Sequence, residues 1–233
     1  MSVLNRRTAV VTGSSAGIGR AIAEHLLADG WQVCGLDVSA PTFEHAAFRP
    51  LQVDLSDGAA TEAAARTLTE VSALVHAAGV LRVGTLGTLV HDDAALMWRL
   101  HVDAATRLAD VLLPAMAERG DGRVVLIGSR VAQGVAGRSQ YAATKAALLG
   151  LARSWAAEVV VSGVTVNVIS PAATQTAMLA DPARRAQPPK MPPLGRLIRP
   201  DEIASLVAYL LSPAAAAITG QDIAICGGAS LAR

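Results

Sequence analysis

The sequence has 233 residues, 52% of them hydrophobic, and its 20 basic and 19 acidic side chains leave a net charge of +1. This balance provides no basic surface of the kind that binds nucleic-acid backbones. No stretch holds the ~18 uninterrupted apolar residues of a membrane span. We therefore expect a soluble protein with neither nucleic acid nor membrane as a partner.

Short apolar runs alternate with longer stretches of helical periodicity, which predicts a parallel sheet with helices on both faces. The predicted strands are Ala9–Thr12, Gln32–Leu36, Pro50–Val53, Ala73–His76, Val124–Ile127, Val164–Ile169 and Ile223–Ile225. The predicted helices are Ile18–Ala28, Ala59–Val71, Asp93–Ala117, Tyr141–Val161 and Pro200–Leu211. No linker divides residues 1–233, so we predict one doubly wound Rossmann domain with seven strands and ligands at their carboxyl ends.

Cysteine and histidine usage limits the chemistry of the chain. Cys34 and Cys226 lie far apart and fit neither a disulfide framework nor a metal site, so we expect a reducing compartment, the cytoplasm. The five histidines show no ligand spacing, and we expect no metal site.

A glycine-rich segment, Thr12-Gly13-Ser14-Ser15-Ala16-Gly17-Ile18-Gly19, joins the first predicted strand to the first predicted helix. This is the context of a dinucleotide-binding turn, in which glycines let the backbone approach a pyrophosphate at a helix N-terminus. The same glycines also fit a plain strand-to-helix turn without a ligand. A P-loop is excluded, because Arg20 and Ala21 stand where Lys and Ser or Thr are required.

Two acidic residues follow the second and third predicted strands. Asp37 stands where a carboxylate accepts hydrogen bonds from the adenosine ribose and repels a 2′-phosphate. Because no Lys or Arg precedes Gly19 in the turn and Val38 follows Asp37, the sequence favours NAD over NADP. Asp54 fits either a contact to the adenine amino group or a turn aspartate at a helix start.

Tyr141 and Lys145 stand four residues apart at the start of a predicted helix, so both project from one face. The chain has only two tyrosines and two lysines, which makes coincidence a poor explanation, with a solvated helix face as the alternative. A cation within ~4–6 Å lowers the pKa of a phenol, so Tyr141 is predicted to be the general acid or base. Ser129 fits either a hydrogen bond to the same substrate oxygen or a turn serine at a strand end.

The segment from Gly13 to Gly17 also matches G-x-S-x-G, the nucleophile elbow of hydrolases, with Ser15 as the nucleophile. An α/β-hydrolase of this kind needs a histidine base late in the chain. No histidine follows His101, so a hydrolase is the least favoured of the functions considered.

Prolines crowd the stretch from Pro171 to Arg199 too closely for a regular helix or an interior strand. A loop of this length after a strand's carboxyl end is placed to cover a ligand, and we expect a substrate lid over residues 171–199 rather than disorder. Its Arg184, Arg185 and Lys190 fit either attraction of an anionic group or a solvated charge cluster.

With these motifs the chain resembles the short-chain dehydrogenase/reductase family, in its NAD-type branch, over almost its whole length. Thr12–Gly19 is similar to the family's T-G-x-x-x-G-x-G turn, and Ser129, Tyr141 and Lys145 match its catalytic side chains. The resemblance implies an oxidoreductase that transfers a hydride between NAD(H) and an alcohol or ketone. It implies cofactor contacts from Gly13, Ser15, Gly17, Ile18, Gly19, Asp37, Val38, Asp54, Leu55, Ala78, Gly79, Tyr141, Lys145, Pro171, Thr174 and Thr176.

Two departures from the family pattern bear on the site. His76-Ala77-Ala78-Gly79 stands in place of Asn-Asn-Ala-Gly, which removes amide hydrogen bonds that support the sheet. The family's catalytic asparagine is expected at Asp103, in the register set by Trp98–Val102. An ionised Asp103 cannot donate as an amide does, so it either pairs with Lys145 or holds a relay water differently. It alone supports an alternative function, a catalytically weakened NAD-binding sensor or scaffold.

The resemblance also implies a homotetramer, in which the Asp93–Ala117 and Tyr141–Val161 helices pair across a two-fold axis. Apolar residues on both helices agree with burial beyond one subunit. The expected substrate is a small alcohol or carbonyl compound, and acyl thioesters, sugars and small secondary alcohols all stay open. Specificity depends on the loop 171–199 and on Val131–Gly137.

Overall fold

Seven parallel strands form one sheet within residues 7–180 and 190–231, the part of the chain that the computed structural model describes. The strands are β1 (Thr8–Thr12), β2 (Gln32–Asp37), β3 (Phe48–Gln52), β4 (Val71–His76), β5 (Gly122–Ile127), β6 (Val164–Pro171) and β7 (Asp222–Ile225). The helices are α1 (Gly17–Ala28), α2 (Gly58–Arg66), α3 (His91–Trp98), α4 (Ala104–Arg119), α5 (Ser139–Val159) and α6 (Pro200–Leu210). This single α/β domain confirms the predicted fold, and each predicted strand end lies within two residues of the observed one.

The central strands are buried on both faces because helices cover the two sides of the sheet. In β1, Ala9 and Val11 pack in a cluster with α1 and α6, whereas Val10 packs in a second cluster with α2, α4 and α5. Side chains of a strand alternate between faces, so a strand covered on both sides reads as a continuous apolar run. This is why the runs in the sequence predicted the strands well.

The strand order β3-β2-β1-β4-β5-β6-β7 places a topological switch point beside β1. Thr12 at the end of β1 pairs with Leu36 of β2 and with His76 of β4, so the three strands end at the same level. Sheets of this kind bind ligands in the crevice outside the carboxyl ends of the strands, at the switch point. The glycine-rich turn, Asp37 and the residues after His76 therefore share one edge of the sheet.

The predicted helix Ala59–Val71 is wrong at its end, because α2 stops at Arg66. The hydroxyl of Thr67 donates to the carbonyl of Ala64 in the last turn, and Glu70 adopts a φ of 54°. Such a left-handed residue cannot continue a helix.

The predicted helix Asp93–Ala117 is in fact two helices, α3 and α4, joined by a π-helical turn over Arg99–Asp103. A π turn adds a residue to the helical turn and is frequent at functional sites. In this chain it brings the carbonyl oxygen of Leu100 to 3.1 Å from Nε2 of His76. The turn therefore joins the α3–α4 helix pair to the carboxyl end of β4.

The predicted lid segment is only partly described. β6 runs on to Pro171, a 3-10 turn covers Ala177–Ala180, and Thr174 forms an isolated bridge with Ile198 that joins the two flanks of the segment. Arg184 and Arg185 lie outside the described residues. None of the helices within residues 7–180 and 190–231 combines the length and the apolar character that crossing a membrane requires.

Candidate active site

A cavity of about 720 Å³ opens at the carboxyl edge of the sheet. This volume is in the range of small-molecule sites. Because β3, β2, β1, β4 and β5 lie side by side, its lining runs from Asp54 and Asp37 to Ser129 and the start of α5. The residues assigned to cofactor binding that line it are Gly13, Gly17, Ile18, Gly19, Asp37, Val38, Asp54, Leu55, Ala78, Gly79, Tyr141, Lys145, Pro171, Thr174 and Thr176.

The glycine-rich turn is packed so closely that two of its glycines have no room for a side chain. A Cβ on Gly13, whose φ is 68°, would lie 3.0 Å from the backbone of Ala78, and one on Gly19 would lie 2.2 Å from the carbonyl oxygen of Gly13. Helix α1 then begins without a capping side chain at Ala16 and without an acidic residue in its first turn. Its first backbone N–H groups are therefore available to an anion, as a pyrophosphate requires.

Asp37 is held in place at the end of β2 by two backbone hydrogen bonds. Its Oδ2 accepts from the N–H of Ser15 at 2.9 Å, and its Oδ1 accepts from the N–H of Ser39 at 2.9 Å. The carboxylate faces the cavity beside Val38, whose side chain is exposed. A fixed negative charge at this place suits ribose hydroxyls and opposes a 2′-phosphate.

Ser15 is the one residue assigned to cofactor binding that does not line the cavity. Its hydroxyl donates to the carbonyl of Ser39 at 3.2 Å, on the side of Asp37. The hydroxyl is thus directed away from any substrate in the cavity, and its partner is a carbonyl oxygen rather than a histidine base. Both facts argue against Ser15 as the nucleophile of a hydrolase.

Asp54 lines the cavity, but it also serves as a turn residue. Its Oδ1 accepts from both the N–H and the hydroxyl of Ser56, each at 2.8 Å. The two interpretations that the sequence left open are therefore compatible, because a carboxylate has a second oxygen for a ligand.

The side chains of Ser129, Tyr141 and Lys145 meet at the other end of the cavity. Oγ of Ser129 accepts from the N–H of Val131 at 3.1 Å, so the hydroxyl proton is left to donate to a substrate oxygen. Tyr141 and Lys145 lie on the first two turns of α5, and Nζ of Lys145 is 5.8 Å from the centre of the Tyr141 ring. The cavity thus ends in a phenol, a hydroxyl and an ammonium group.

Lys145 is buried, and Nζ donates to the carbonyl of Ile127 at the end of β5, at 2.8 Å. Burial disfavours the charged amine and lowers the pKa of Lys145 to about 8. With a pKa of about 8 the amine is still mostly charged at neutral pH, 5.8 Å from the centre of the Tyr141 ring.

Asp103 was expected beside Lys145, and the structure places it elsewhere. Oδ2 of Asp103 accepts from Nε of Arg107 at 2.8 Å, and Arg107 reaches across to Glu62 of α2. Asp103 does not line the cavity. The carboxylate is directed to the outer side of the π turn, so the alternative function as a weakened enzyme loses its only support.

His101, two residues earlier, lies where Asp103 was expected, beside Tyr141 and Lys145. It is fully buried, its ring lies edge-on to the ring of Tyr141 at 5.6 Å between centroids, and Nε2 accepts from the N–H of Val80. A Cβ on Gly79 would lie 3.0 Å from Nε2 of His101 and 3.6 Å from Nζ of Lys145. The sequence does contain one indication of a buried role for His101: it is a polar residue between the apolar Leu100 and Val102.

His76 also differs from the expectation that hydrogen bonds would be lost at this position. Nδ1 of His76 lies 3.0 Å from Oγ1 of Thr12, and Nε2 lies 3.1 Å from the carbonyl oxygen of Leu100. The imidazole thus supplies two hydrogen bonds of its own, one to β1 and one to the π turn.

Residues 13–230 match the model of a family described as enoyl-(acyl carrier protein) reductase. The chain is 37% identical over 236 residues to the 3-oxoacyl-[acyl-carrier-protein] reductase FabG of Salmonella typhimurium, covering 95% of this chain and 96% of that protein. It is 32% identical over 256 residues to the oxidoreductase UcpA of Escherichia coli, covering 99% and 97%.

Solved structures agree. A short-chain dehydrogenase/reductase family protein superposes with a TM-score of 0.90 at 32% identity, over 97% of this chain and 98% of that one. The aldohexose dehydrogenase of Thermoplasma acidophilum superposes with a TM-score of 0.88 at 26% identity, over 98% and 95%. The match extends over the whole domain and includes both ends of the cavity. The chain therefore belongs to the short-chain dehydrogenase/reductase family, and it is an oxidoreductase that acts on alcohol and carbonyl groups with a nicotinamide cofactor.

Proposed function

We propose that this chain is an NAD-dependent dehydrogenase or reductase in which Tyr141 is the general acid or base. One observation carries the proposal: Ser129, Tyr141 and Lys145 meet at one end of a cavity whose other end holds the glycine-rich turn and Asp37. A dinucleotide bound along the carboxyl edge of the sheet has its two halves at these two ends.

The nicotinamide cofactor supplies or accepts the hydride when it is bound. During reduction, Tyr141 donates its phenolic proton to the carbonyl oxygen, and during oxidation it accepts the alcohol proton. Ser129 donates its hydroxyl hydrogen to the same oxygen, because within the protein the hydroxyl accepts from the N–H of Val131 and its proton is left for the substrate. The charge of Lys145 favours the phenolate form of Tyr141, which helps a phenol to exchange a proton near neutral pH.

We propose NAD rather than NADP as the cofactor. The support is the carboxylate of Asp37, which the backbone N–H groups of Ser15 and Ser39 hold at the end of β2. Val38 beside it is apolar and exposed, and Arg20 of α1 is paired with Glu24 at 2.9 Å. A 2′-phosphate would meet a negative charge here without a cation of its own.

For the substrate we propose an apolar ketone or alcohol, with 3-oxoacyl thioesters as the first class to test. The cavity wall around Ser129 and Tyr141 is mainly apolar, with Leu81, Leu96, Leu100, Val131, Val135, Met178 and Leu179. A sugar would bring several hydroxyls that need hydrogen-bond partners, whereas an acyl chain is suited to such a wall. Met178 and Leu179 belong to the described part of the expected lid, which supports a role for that segment in substrate binding.

The test is a panel of 3-oxoacyl thioesters, simple ketones, secondary alcohols and aldoses, with NAD(H) and NADP(H), followed by absorbance at 340 nm. We expect turnover with NADH and an apolar ketone, and weaker turnover with NADPH. Activity with aldoses alone would contradict the substrate class. A preference for NADPH would contradict the cofactor assignment and leave the acid–base assignment intact.

We also propose a cytoplasmic homotetramer. Trp98 at the end of α3, and Val160 and Val161 just after α5, expose apolar side chains on the helices expected to pair. Cys34 and Cys226 are both free thiols, which suits a reducing compartment. Light scattering should give four times the monomer mass, and a monomer would contradict the proposed assembly.

A further inference from the structure

Two fully buried histidines lie close to the proposed catalytic residues but do not line the cavity. The proposed mechanism uses neither of them. His76 ends β4, and His101 lies in the π turn between α3 and α4. A buried imidazole with both nitrogens bonded has a defined protonation state and tautomer, because each partner can only donate or only accept. The partners of both rings are present, so each state can be derived.

The partners of His76 require a proton on Nε2. Oγ1 of Thr12 accepts from the N–H groups of Ala77 and Ala78, at 3.0 and 2.9 Å, which uses both of its lone pairs. The Thr12 hydroxyl must therefore donate to Nδ1 of His76, which carries no proton. Nε2 then donates to the carbonyl of Leu100.

The partners of His101 require the opposite tautomer. Nε2 accepts from the backbone N–H of Val80 at 3.0 Å, so it carries no proton. Nδ1 donates to Oγ1 of Thr144 at 2.9 Å, and the Thr144 hydroxyl donates in turn to the carbonyl of Tyr141 at 2.9 Å. Every polar group of this ring is satisfied only in the neutral form.

The two rings are joined through one peptide unit, because Leu100, which accepts from His76, is directly followed by His101. Hydrogen bonds therefore connect Thr12 to Thr144 through the two histidines. Thr12 directly precedes the glycine-rich turn, and Thr144 directly precedes Lys145. We call Thr12, His76, His101 and Thr144 the histidine link. Burial lowers the pKa of both histidines, and the nearby ammonium of Lys145 lowers it further. Tyr141 contacts His101 edge-on.

We infer that the histidine link fixes the start of α5 relative to the cofactor turn, and that His101 is a positioning residue for Tyr141 and Lys145. Both rings are neutral, so they add no second positive charge beside Lys145. Gly79 leaves room for this arrangement, because a Cβ there would lie 3.0 Å from Nε2 of His101 and the ring would have to shift. The inference rests on the proposed function only for its kinetic consequence.

The first test is the tautomer of each ring in the wild-type protein. Long-range 15N–1H NMR distinguishes the two neutral tautomers and imidazolium, and His76→Asn and His101→Asn assign the resonances. At pH 7.5 we expect Nε2–H for His76 and Nδ1–H for His101. Either ring in the other tautomer, or as imidazolium, would overturn the inference without any measurement of turnover.

The second test compares two substitutions of His101 with the same change at an exposed histidine. His101→Asn keeps one acceptor for Val80 and one donor for Thr144, whereas His101→Ala keeps neither. We expect kcat within about fivefold of wild type for His101→Asn and at least ~20-fold lower for His101→Ala, the size of a moderate loss of orientation. NADH affinity should change less than about threefold in both, and His91→Asn should match wild type.

Wild-type turnover of His101→Ala would overturn the positioning role, as would an equal loss in both His101 variants. If the wild-type enzyme reduces no carbonyl compound at all, the proposed function fails, and the titration of Lys145 then decides the inference. Water entering the His101→Ala cavity should raise the pKa of Lys145 from about 8 toward 10.5. An unchanged pKa in that variant would overturn the inference.

Discussion

The ammonium of Lys145 donates a 2.8 Å hydrogen bond to the carbonyl of Ile127, two residues before Ser129. This bond joins α5 to the end of β5 and fixes the spacing between the two elements that supply the hydroxyl and the phenol. Burial at this place also brings the pKa of Lys145 to about 8. The hydrogen bond thus sets the position of the group next to Tyr141, and burial sets its pKa.

The lowered pKa of Lys145 is directly measurable, because the chain has only one other lysine, Lys190. In Lys190→Arg, the 13Cε resonance of labelled lysine should titrate near pH 8, and a midpoint near 10.5 would contradict the burial argument. The pKa in the unfolded chain is the ordinary 10.5. The folded state disfavours the charged amine, so this group should add stability as the pH rises from about 8 to 10.5.

Tyr141→Phe should lower kcat by about 10²–10⁴-fold, the usual contribution of a general acid or base. The aromatic ring stays in place, so NADH binding, followed by fluorescence, should change less than about threefold. The matched control is Tyr209→Phe, since Tyr209 is the other tyrosine and is exposed on α6. Turnover of Tyr141→Phe within tenfold of wild type would show that another group transfers the proton.

The pair Asp37→Ser with Val38→Arg should reverse the cofactor preference. The change removes the carboxylate held by Ser15 and Ser39 and offers a guanidinium to a 2′-phosphate. The ratio of kcat/KM for NADPH to that for NADH should rise at least a hundredfold, about 2.7 kcal/mol in transition-state free energy. Asp54→Asn is the control and should keep the wild-type preference, because the expected contact of Asp54 is with the adenine, which NADH and NADPH share.

Acid should destabilise the protein through His76. Its pKa is lowered to about 3 in the folded state, because the ring is buried and close to Lys145, and it returns to 6.5 on unfolding. The unfolded chain therefore binds a proton that the folded chain rejects between pH 6.5 and 3. Protonation of His76 in the unfolded chain should therefore lower the free energy of unfolding by about 2 kcal/mol at pH 5 relative to neutral pH.

Urea denaturation at pH 7.5 and pH 5 measures this loss. In His76→Asn the part of the pH dependence that belongs to this ring should disappear, even if the variant is less stable at both pH values. A wild-type slope retained in full would assign the acid sensitivity to other groups. His91→Asn, an exposed change, should keep that slope.

Asp103→Asn should leave kcat within about twofold of wild type. The carboxylate contacts Arg107 on the outer side of the π turn, and an amide oxygen can still accept from that guanidinium. The loss of this solvent-accessible ion pair should leave the stability almost unchanged. A loss of kcat above a hundredfold would return Asp103 to the catalytic centre.

The sheet and most of the cavity lining were predictable because both depend on local patterns. Strands buried on two faces read as apolar runs, and the glycine-rich turn leaves no room for side chains at Gly13 and Gly19. Tyr141 and Lys145 were predictable from their helical spacing, the scarcity of tyrosine and lysine in the chain, and the resemblance to the family's Tyr-x-x-x-Lys pair. These features need no knowledge of how distant segments are placed.

His101 could not be predicted in the same way, because its position depends on a π turn that has no simple sequence signal. In a regular helix from Asp93 to Ala117, Asp103 and its neighbours face a different direction from the one that they face in the observed helix pair. The π turn inserts one extra residue and rotates the side chains relative to the cavity. The hydrogen-bond partners of the two histidines, Thr12 and Thr144, are likewise distant in sequence. Only the folded chain brings these four residues together as the histidine link.

The π turn also divides the α3–α4 helix pair into parts of unequal stability. Helix α4 buries seven residues in the core, whereas α3 buries only Met97. Few buried contacts mean a small free energy for local opening, so amides of α3 should exchange with deuterium well before those of α4. Leu96 of α3 forms part of the cavity wall. This part of the wall should therefore open more readily than the π turn, where the carbonyl of Leu100 is bonded to His76.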